Sequence, residues 1–382
     1  MNMVYSTIKC GVSNPISRQK KGLMDNFHCI KPIVFTWWRE KESNLRPPGY
    51  GPGKLPLLYP AINIAILNSC TIISHKFLKR KDFFMKGLII INSFTSSPAI
   101  SYKAWRLMSE FRLKGIECDV VKTVDLPVIY KNGIETIPDI DEWGFCVYLD
   151  KDKYLIDAIE KRMPVFNSGK STFLCDDKMV TFQALRNSGI RTPLTIPAPL
   201  CYSQSPDQGS IDLFLDIVEK ELGYPMICKE SYGSLGKQVY LIKNREELEL
   251  KNKELINVTH LFQKFYSESQ GRDYRVLTIG GKVVASMERI NDHDFRSNIA
   301  EGGVGKPVTL SPEFIEMAEK VSNILGLDYG GIDLIKANDG KPVFIEANSN
   351  CFFSEIEKVT KINITKILVE HIISRLKDMN LI

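Results

Sequence analysis

The 382-residue sequence lacks several features that define broad classes of protein. No apolar run reaches the roughly 18 residues that a membrane-spanning helix needs, and the longest candidate, residues 61–73, is interrupted by Asn63, Asn68 and Ser69. The first residues lack the apolar segment and small-residue cleavage site of a secretory signal. The nine cysteines form no CxxC pair. We therefore expect a cytoplasmic protein with reduced thiols and no membrane partner.

Familiar catalytic arrangements are also missing. The five histidines show no metal-ligand spacing, and the chain has no internal repeat. The segment 229–237 is rich in glycine, but it is not a Walker A loop, because the spacing differs and no helix pattern follows. Apolar residues make up 44% and charged residues 25% of the chain, which is ordinary for a globular protein of two or three domains.

The basic charge of the chain is confined to its first segment. Residues 1–84 contain 13 Lys and Arg against 4 Asp and Glu, whereas the remainder contains 37 against 41. The excess of positive charge therefore says nothing about the segment after residue 84, and no nucleic-acid partner is expected.

Residues 1–84 show no sustained helical or strand periodicity. The stretch from Trp37 to Gly49 resembles the conceptual translation of a transfer-RNA gene read on the opposite strand. We expect a non-native or disordered N-terminal extension and a true start at Met85; a basic disordered tail or a functional basic arm remains open.

From Met85 the pattern changes to alternating strands and helices. The run Gly87–Asn92 has the apolar character of a buried parallel strand. A helix is expected over 99–114, and strands over 118–124, 145–149 and 165–167. This alternation predicts a small α/β domain at about residues 85–170. Further helices are expected over 152–161, 176–188, 210–222, 245–253, 311–325 and 362–377.

A hairpin near the C-terminus carries a candidate metal site. Asp339-Gly340 is a strong turn signal, and regular pairing around it places Asp333 opposite Glu346. Asn348 then faces the same side as Glu346. Facing carboxylates repel unless a cation lies between them, and oxygen-only ligands suit Mg²⁺. The alternative is a solvated polar face, although Ile335 and Phe344 are expected to share this side.

Two further segments suggest phosphate binding. Lys229 ends an apolar strand, and the loop that follows includes Ser234 and Gly236, whose backbone N–H groups could surround phosphates. An ordinary hairpin loop would look the same. Later, Arg296 and Asn298 lie on one side of an extended stretch, where an arginine can stabilise a transferring phosphoryl group.

A second hairpin turns at Gly280-Gly281. Regular pairing places Asp273 opposite Glu288 and Arg275 opposite Ser286. These four side chains would form one polar face, which could also be simply solvent-facing.

Taken in order, these segments resemble the RimK-type ATP-grasp ligases over about residues 165–375. The motifs that carry the resemblance are Lys178 in Cys175–Lys178, Lys229 with its glycine-rich loop, Gln263–Tyr266, Gly271–Arg275, Asp294–Asn298 before Gly302-Gly303, Gly331–Asp333, Glu346–Asn348 and Ile356–Thr360.

The resemblance implies an α/β ATP-grasp fold. A small parallel domain over 85–170 would precede an ATP-grasp domain over 171–382, whose subdomains, about 176–258 and 259–382, clasp ATP. The implied residue roles are Lys178 and Lys229 at the phosphates, Lys264 and Phe265 at adenine, Asp273 at the ribose, Arg296, Ser297 and Asn298 at the reacting phosphate, Arg296 and Arg275 at the acyl-phosphate, and Asp333, Glu346 and Asn348 at two Mg²⁺ ions bridged by Glu346.

The implied activity is an ADP-forming ligation of a carboxylate to an amine through an acyl-phosphate, with glutamate or another amino acid added to a small molecule or peptide. Mn²⁺ is an alternative metal, and a homo-oligomer is left open. Two departures from the family pattern, Lys264 in place of an acidic residue and the loop Ser349–Phe353, leave the substrate undefined. A ligase that forms ester or amide crosslinks in a precursor peptide, and a non-catalytic ATP-binding module, are the alternatives.

Overall fold

The computed structural model describes residues 85–95, 97–203 and 205–382. The expected non-native extension, residues 1–84, therefore lies outside the described residues. Within these ranges, no helix combines the length and the apolar character needed to cross a membrane.

The first domain is a parallel sheet flanked by helices. Its elements in chain order are β1 (Gly87–Ile91), α1 (Pro98–Leu113), β2 (Cys118–Lys122), β3 (Ile129–Lys131), β4 (Ile134–Thr136), β5 (Phe145–Leu149), α2 (Lys153–Glu160) and β6 (Val165–Phe166). The parallel strand order is β2-β1-β5-β6, and β3 and β4 form a separate hairpin. Helix α1 begins at Pro98, whose fixed φ suits a first turn. The alternation of the sequence predicted this sheet correctly.

The helix expected over 176–188 is the shorter α4 (Lys178–Ala184), and a separate helix, α3 (Gly169–Asp176), precedes it. Asp177 separates them, because its backbone is extended and its carboxylate accepts hydrogen bonds from the N–H groups of Met179 and Val180. This N-cap places Lys178 at the first position of α4, where its side chain is buried.

The first of the two subdomains expected after residue 170 is an antiparallel sheet with two helices. It contains β7 (Thr195–Pro197), α5 (Gln208–Leu222), β8 (Met226–Glu230), β9 (Val239–Ile242), α6 (Arg245–Glu254) and β10 (His260–Lys264), and its strand order is β7-β10-β8-β9. Since β10 is an interior strand paired with both β7 and β8, the expected boundary at residue 258 is too early. A separate apolar cluster centred on Leu215, Met226 and Phe262 forms its core.

The second subdomain is a five-stranded antiparallel sheet. It contains β11 (Arg272–Ile279), β12 (Lys282–Ile290), β13 (Val304–Pro307), α7 (Pro312–Leu325), β14 (Tyr329–Lys336), β15 (Pro342–Asn348), α8 (Ser354–Thr360) and α9 (Ile364–Asp378). The strand order is β13-β12-β11-β14-β15.

A bulge in the β11–β12 hairpin makes the expected pairing of its outer half wrong. The pairing shifts by one residue beyond Thr278, so that Asp273 faces Arg289 and Arg275 faces Met287. Ser286 and Glu288, which pair with Val276 and Tyr274, therefore lie on the opposite face from Asp273 and Arg275.

The β14–β15 hairpin keeps its expected register at the site. Asp333 pairs with Glu346, and Asn348 lies two residues further along the same strand. A bulge between Asp333 and Leu334 pairs Phe344 with Leu334, so Phe344 does not share the face of Asp333 as expected. Phe344 instead joins the buried cluster beneath α7.

One face of the five-stranded sheet is divided along its length. At one end, Leu277, Ala285 and Met287 pack in the apolar cluster that contains residues of α9. Toward the other end, the same face carries charged side chains from four adjacent strands: Arg289, Asp273, Arg275, Asp333 and Glu346. The apolar half anchors the sheet, which leaves the charged half to form a site.

Asn167 joins the first domain to this sheet. Its Nδ2 donates to the carbonyls of Tyr329 (2.8 Å) and Ser349 (2.7 Å), and its Oδ1 accepts from the N–H groups of Asp328 (2.7 Å) and Tyr329 (3.1 Å). The carboxamide is buried, with 2% exposure, and all its hydrogen-bonding capacity is used.

Candidate active site

Lys178 contacts both the glycine-rich loop and the β14–β15 hairpin. We call this hairpin, which carries Asp333 and Glu346, the carboxylate hairpin. Its Nζ lies 3.2 Å from the carbonyl oxygen of Gly233 and 3.8 Å from Oε1 of Glu346. Lys229 is also buried, and burial lowers its pKa to about 8, with Glu346 opposing the shift and Lys178 adding to it. The two lysines therefore provide positive charge beside Glu346, at the base of the loop.

The carboxylate pair has the donor chemistry of a hard-cation site. Asp333 and Glu346 are direct cross-strand neighbours, and Asn348 supplies an amide oxygen next along β15. The described residues contain no group of three or more His, Cys, Asp or Glu side chains placed to share a metal ion, so the set depends on Asn348 as its third donor. Oxygen donors of this kind fit Mg²⁺.

Two arginines engage Asp333. Arg275 lies directly opposite it on β11, and its Nη2 donates to Oδ2 at 2.9 Å while its Nε donates to Oδ1. Nη2 of Arg289 lies 3.0 Å from the same Oδ2. Burial alone would raise the pKa of Asp333, but Arg275 and Arg289 outweigh it and hold the pKa below the ordinary 3.8. Asp333 is thus an ionised carboxylate whose orientation is fixed from two sides.

Arg296 and Asn298 close against the glycine-rich loop. Nη1 of Arg296 donates to the carbonyl of Gly236 at 2.9 Å, and its other nitrogens pair with Asp294. A Cβ on Gly236 would lie 2.7 Å from Oδ1 of Asn298, so only glycine allows this approach. Ser297 lies buried between Arg296 and Asn298, and Ser234 is exposed on the loop. Arg296 also lines a cavity of about 450 Å³ along β9 and α6.

Two of the residues expected to bind adenine and ribose, Lys264 and Asp273, already have hydrogen-bond partners within the protein. Lys264 ends β10, and its main-chain N–H already donates to the carbonyl of Leu194 at 2.9 Å; Phe265 follows it. Asp273 forms a two-point ion pair with Arg289, in which Nε donates to Oδ1 at 2.7 Å and Nη2 contacts Oδ2. The Asp273 carboxylate is therefore already engaged inside the protein.

The loop from Ser349 to Phe353 is held by Lys103 of α1. The Nζ of Lys103 donates to Oδ1 of Asn350 (2.8 Å) and to the carbonyl of Cys351 (2.9 Å), and lies 4.5 Å from the ring centre of Phe353. Burial lowers the pKa of Lys103 to about 8. The first domain therefore shapes the segment that follows Asn348.

The sequence interpretation did not identify Arg289 and Lys103. Arg289 was hidden because the bulge shifts the face of the sheet on which it lies. Lys103 occupies an amphipathic helix, where a lysine normally faces solvent, so nothing in the sequence marked it as buried.

Comparison with known sequences places this site in a family. The model of the RimK-like ATP-grasp domain matches residues 175–372, which is more than half of the chain. The human N-acetylaspartylglutamate synthase A is 35% identical over 236 residues, covering 61% of this chain and 58% of that protein. The zebrafish (Danio rerio) β-citrylglutamate synthase B is 34% identical over 235 residues, covering 60% and 56%. The chain thus spans a little over half the length of these curated relatives.

Solved structures share the fold. A RimK domain protein of Sphaerobacter thermophilus superposes with a TM-score of 0.56 at 16% identity, covering 75% of this chain and 99% of that one. The ATP-grasp ligase PsnB, complexed with minimal precursor, Mg and ADP, gives a TM-score of 0.54 at 15% identity, covering 76% and 98%. Together with the sequence match, this likeness establishes the architecture, and the chain belongs to the RimK-like ATP-grasp family.

Proposed function

We propose that this protein is an ATP-dependent ligase that joins a carboxylate to an amine through an acyl-phosphate, forming ADP and phosphate. The observation that carries the proposal is the position of Lys178 between the carbonyl of Gly233 in the loop and the carboxylate of Glu346. A phosphate placed there would meet the loop, two buried lysines and the carboxylate pair at once.

The proposed chemistry follows from the weak reactivity of a carboxylate toward an amine. A carboxylate oxygen attacks the γ-phosphorus of ATP, and the bond to ADP breaks. The amine then attacks the acyl carbon, loses a proton and displaces phosphate. Asp333, Glu346 and Asn348 would hold Mg²⁺, two ions as the family resemblance implies, and the bound metal would offset the charge on the phosphates; Mn²⁺ is an alternative.

The residues of the chain would contribute mainly position and charge. Lys178 and Lys229 would bind phosphate oxygens, and the loop around Ser234 and Gly236 would cover them. The Arg296 guanidinium, which is fixed by Asp294, would stabilise the negative charge that develops on the transferring group. Arg275 would contribute at the same step, and Ser297 and Asn298 would border the reacting phosphate.

Glutamate is the proposed amine. The names of both curated relatives describe products that contain glutamate, one with an N-acetylaspartyl group and one with a citryl group. The proposed partner is thus a small-molecule or peptide carboxylate, and a cytoplasmic location remains the prediction of the sequence. The likeness to PsnB is limited to fold and does not favour the crosslinking alternative.

The test is to identify the nucleotide products while supplying acids and amines singly and in pairs. N-acetylaspartate and citrate serve as acids and L-glutamate as the amine. We expect ADP and phosphate only when both are present, and a hydroxamate when hydroxylamine replaces the amine. Carboxylate-dependent AMP would refute the acyl-phosphate mechanism, and absence of turnover with every acid would favour a precursor peptide or a non-catalytic module.

A further inference from the structure

Arg289 is a buried arginine that the proposed chemistry does not use. It is 4% exposed, so it cannot make substantial contact with a substrate in solution. It nevertheless contacts two carboxylates, Asp273 on the adjacent strand and Asp333 two strands away. Of these two carboxylates, only Asp333 belongs to the proposed set of metal ligands.

The four charges alternate in sign across three strands. Asp273 contacts Arg289, Arg289 contacts Asp333, and Asp333 contacts Arg275. Cross-strand pairing brings two of these contacts together directly, since Asp273 faces Arg289 and Arg275 faces Asp333. Each buried charge therefore has a partner of opposite sign, which a low-dielectric site requires.

Arg289 and Arg275 differ in how far their side chains are exposed and restrained. The Arg289 side chain is 5% exposed and held at its far side by the two oxygens of Asp273, whereas the Arg275 side chain is 14% exposed. Arg289 is accordingly the more rigid support of Asp333. Mg²⁺ demands nearly ideal octahedral geometry, so a carboxylate that is oriented before the ion arrives binds it more tightly.

We propose that Asp273 and Arg289 are positioning residues that orient the Asp333 carboxylate for the metal ion. In this assignment Asp273 acts through Arg289, to which both its oxygens are bound, and takes the place of the ribose contact that the family resemblance implies. The inference rests on the proposed function in one respect, the assignment of Asp333 as a metal ligand.

The experiment measures two affinities of the full-length protein. Mn²⁺ binding at saturating ADP is followed by the electron paramagnetic resonance signal of free Mn²⁺, and ADP binding is measured separately in EDTA. The variants are Asp273→Asn and Arg289→Lys, with Asp333→Asn as the reference for a lost ligand. Arg272→Lys is the matched control, since Arg272 is a half-exposed arginine on the same hairpin.

We expect Asp273→Asn and Arg289→Lys each to weaken Mn²⁺ binding by about 10- to 100-fold, the usual effect of losing an outer-shell partner. ADP affinity in EDTA should not change, and Arg272→Lys should match the wild type in both measurements. The wild-type preference for ADP over 2′,3′-dideoxy-ADP should persist in Asp273→Asn.

Other outcomes separate the two proposals. If Asp333→Asn leaves Mn²⁺ binding unchanged, the proposed metal set is wrong. If Asp333→Asn weakens it but the folded Asp273→Asn and Arg289→Lys variants do not, the positioning role is wrong, even where thermal stability falls. If Asp273→Asn weakens ADP binding in EDTA and abolishes the preference over the dideoxy nucleotide, Asp273 binds ribose. Where one variant fails to fold, the other decides.

Discussion

Asp333 and Glu346 are neighbours in the sheet but differ in their surroundings. Asp333 is buried and contacted by two arginines, whereas the Glu346 side chain is 26% exposed and its ion pair with Lys178 is long, at 3.8 Å. In the proposed metal site, Glu346 would therefore have more freedom to move toward the cation, and Asp333 would be the more firmly oriented ligand.

Replacing either carboxylate should abolish turnover without unfolding the protein. Glu346→Gln and Asp333→Asn each remove one negative charge with little change of shape, so we expect kcat to fall by at least about 100-fold. Asp339→Asn, at the exposed tip of the same hairpin, is the control and should retain activity. Turnover of either site variant at the wild-type rate and Mg²⁺ dependence would contradict the assignment.

Arg296 should matter more for turnover than for nucleotide binding. Arg296→Lys keeps the charge but loses the planar fork that pairs with Asp294 and reaches Gly236. We expect kcat to fall more than KM for ATP rises, because the contacted charge develops during transfer. Steady-state kinetics beside Arg112→Lys, an exposed arginine, provide the check; a change confined to KM would assign Arg296 to ground-state binding.

The lowered pKa of Lys229 predicts that nucleotide affinity depends on pH. Burial lowers this pKa from 10.5 to about 8, so the lysine loses its charge as the pH rises through that value. ATP affinity should fall by up to about tenfold between about pH 7 and about pH 9, as the protonated fraction falls from about 0.9 to about 0.1. Calorimetric titration should show proton uptake on binding near pH 8.

Lys229→Met should remove both the proton uptake and the pH dependence of that affinity. Lys243→Met, at an exposed lysine just beyond β9, should preserve both. Equal pH dependence in all three proteins would show that Lys229 does not contact the nucleotide.

At the scale of elements, the glycine-rich loop depends on close approach as well as on backbone conformation. Gly236 and Gly340 have nearly equal positive φ angles, +81° and +79°, but only a Cβ at Gly236 would collide with another group, Oδ1 of Asn298. Comparing substitutions at these two glycines therefore distinguishes the effect of backbone strain from the effect of preventing the loop from approaching Asn298.

Gly236→Ala and Gly340→Ala should each lower the free energy of unfolding by about 1–2 kcal/mol, the cost of a left-handed alanine. Only Gly236→Ala should also lower kcat/KM, by about tenfold or more, because the loop can no longer approach Asn298. Chemical denaturation and steady-state kinetics measure the two effects. Equal kinetic losses would mean that loop closure is not required.

The sequence predicted features that depend on local patterns, such as turns and alternation, and missed those that depend on bulges or on contacts between distant segments. The Asp339-Gly340 turn predicted the opposition of Asp333 and Glu346, and this pairing holds because the bulge between Asp333 and Leu334 offsets a one-residue shift on the side nearer the turn. The β11–β12 hairpin contains three consecutive apolar residues, Val283, Val284 and Ala285. An alternating pattern cannot show that one of them is the extra residue of a bulge. Arg289 was therefore missed. Buried Lys103 depends on packing between distant segments, which periodicity does not report.

At the scale of the whole molecule, one apolar cluster crosses from the first domain into the second subdomain. It contains Leu107 and Phe111 of α1 together with Leu368 and Ile372 of α9. Ion pairs follow the same boundary, since Nη1 of Arg106 lies 2.9 Å from Oε2 of Glu357. These parts should therefore unfold together.

Leu107→Ala should lower the free energy of unfolding by about 2–5 kcal/mol in both parts at once. Hydrogen exchange measured on peptides from β1 and from α9 should report the same loss of protection. Leu113→Ala, at an exposed position of the same helix, should change neither. Loss of protection confined to β1 would show that the two parts unfold independently.

The four hydrogen bonds of Asn167 have a consequence for motion. Sliding the first domain past the five-stranded sheet would break all four at once, each buried group losing its partner at about 1–3 kcal/mol. The sheet of β7 to β10 has its own apolar core, separate from the cluster that joins the other two parts. We therefore expect any opening and closing around the proposed nucleotide to be a hinged movement of that sheet, while the first domain and the β14–β15 hairpin move together as one rigid body.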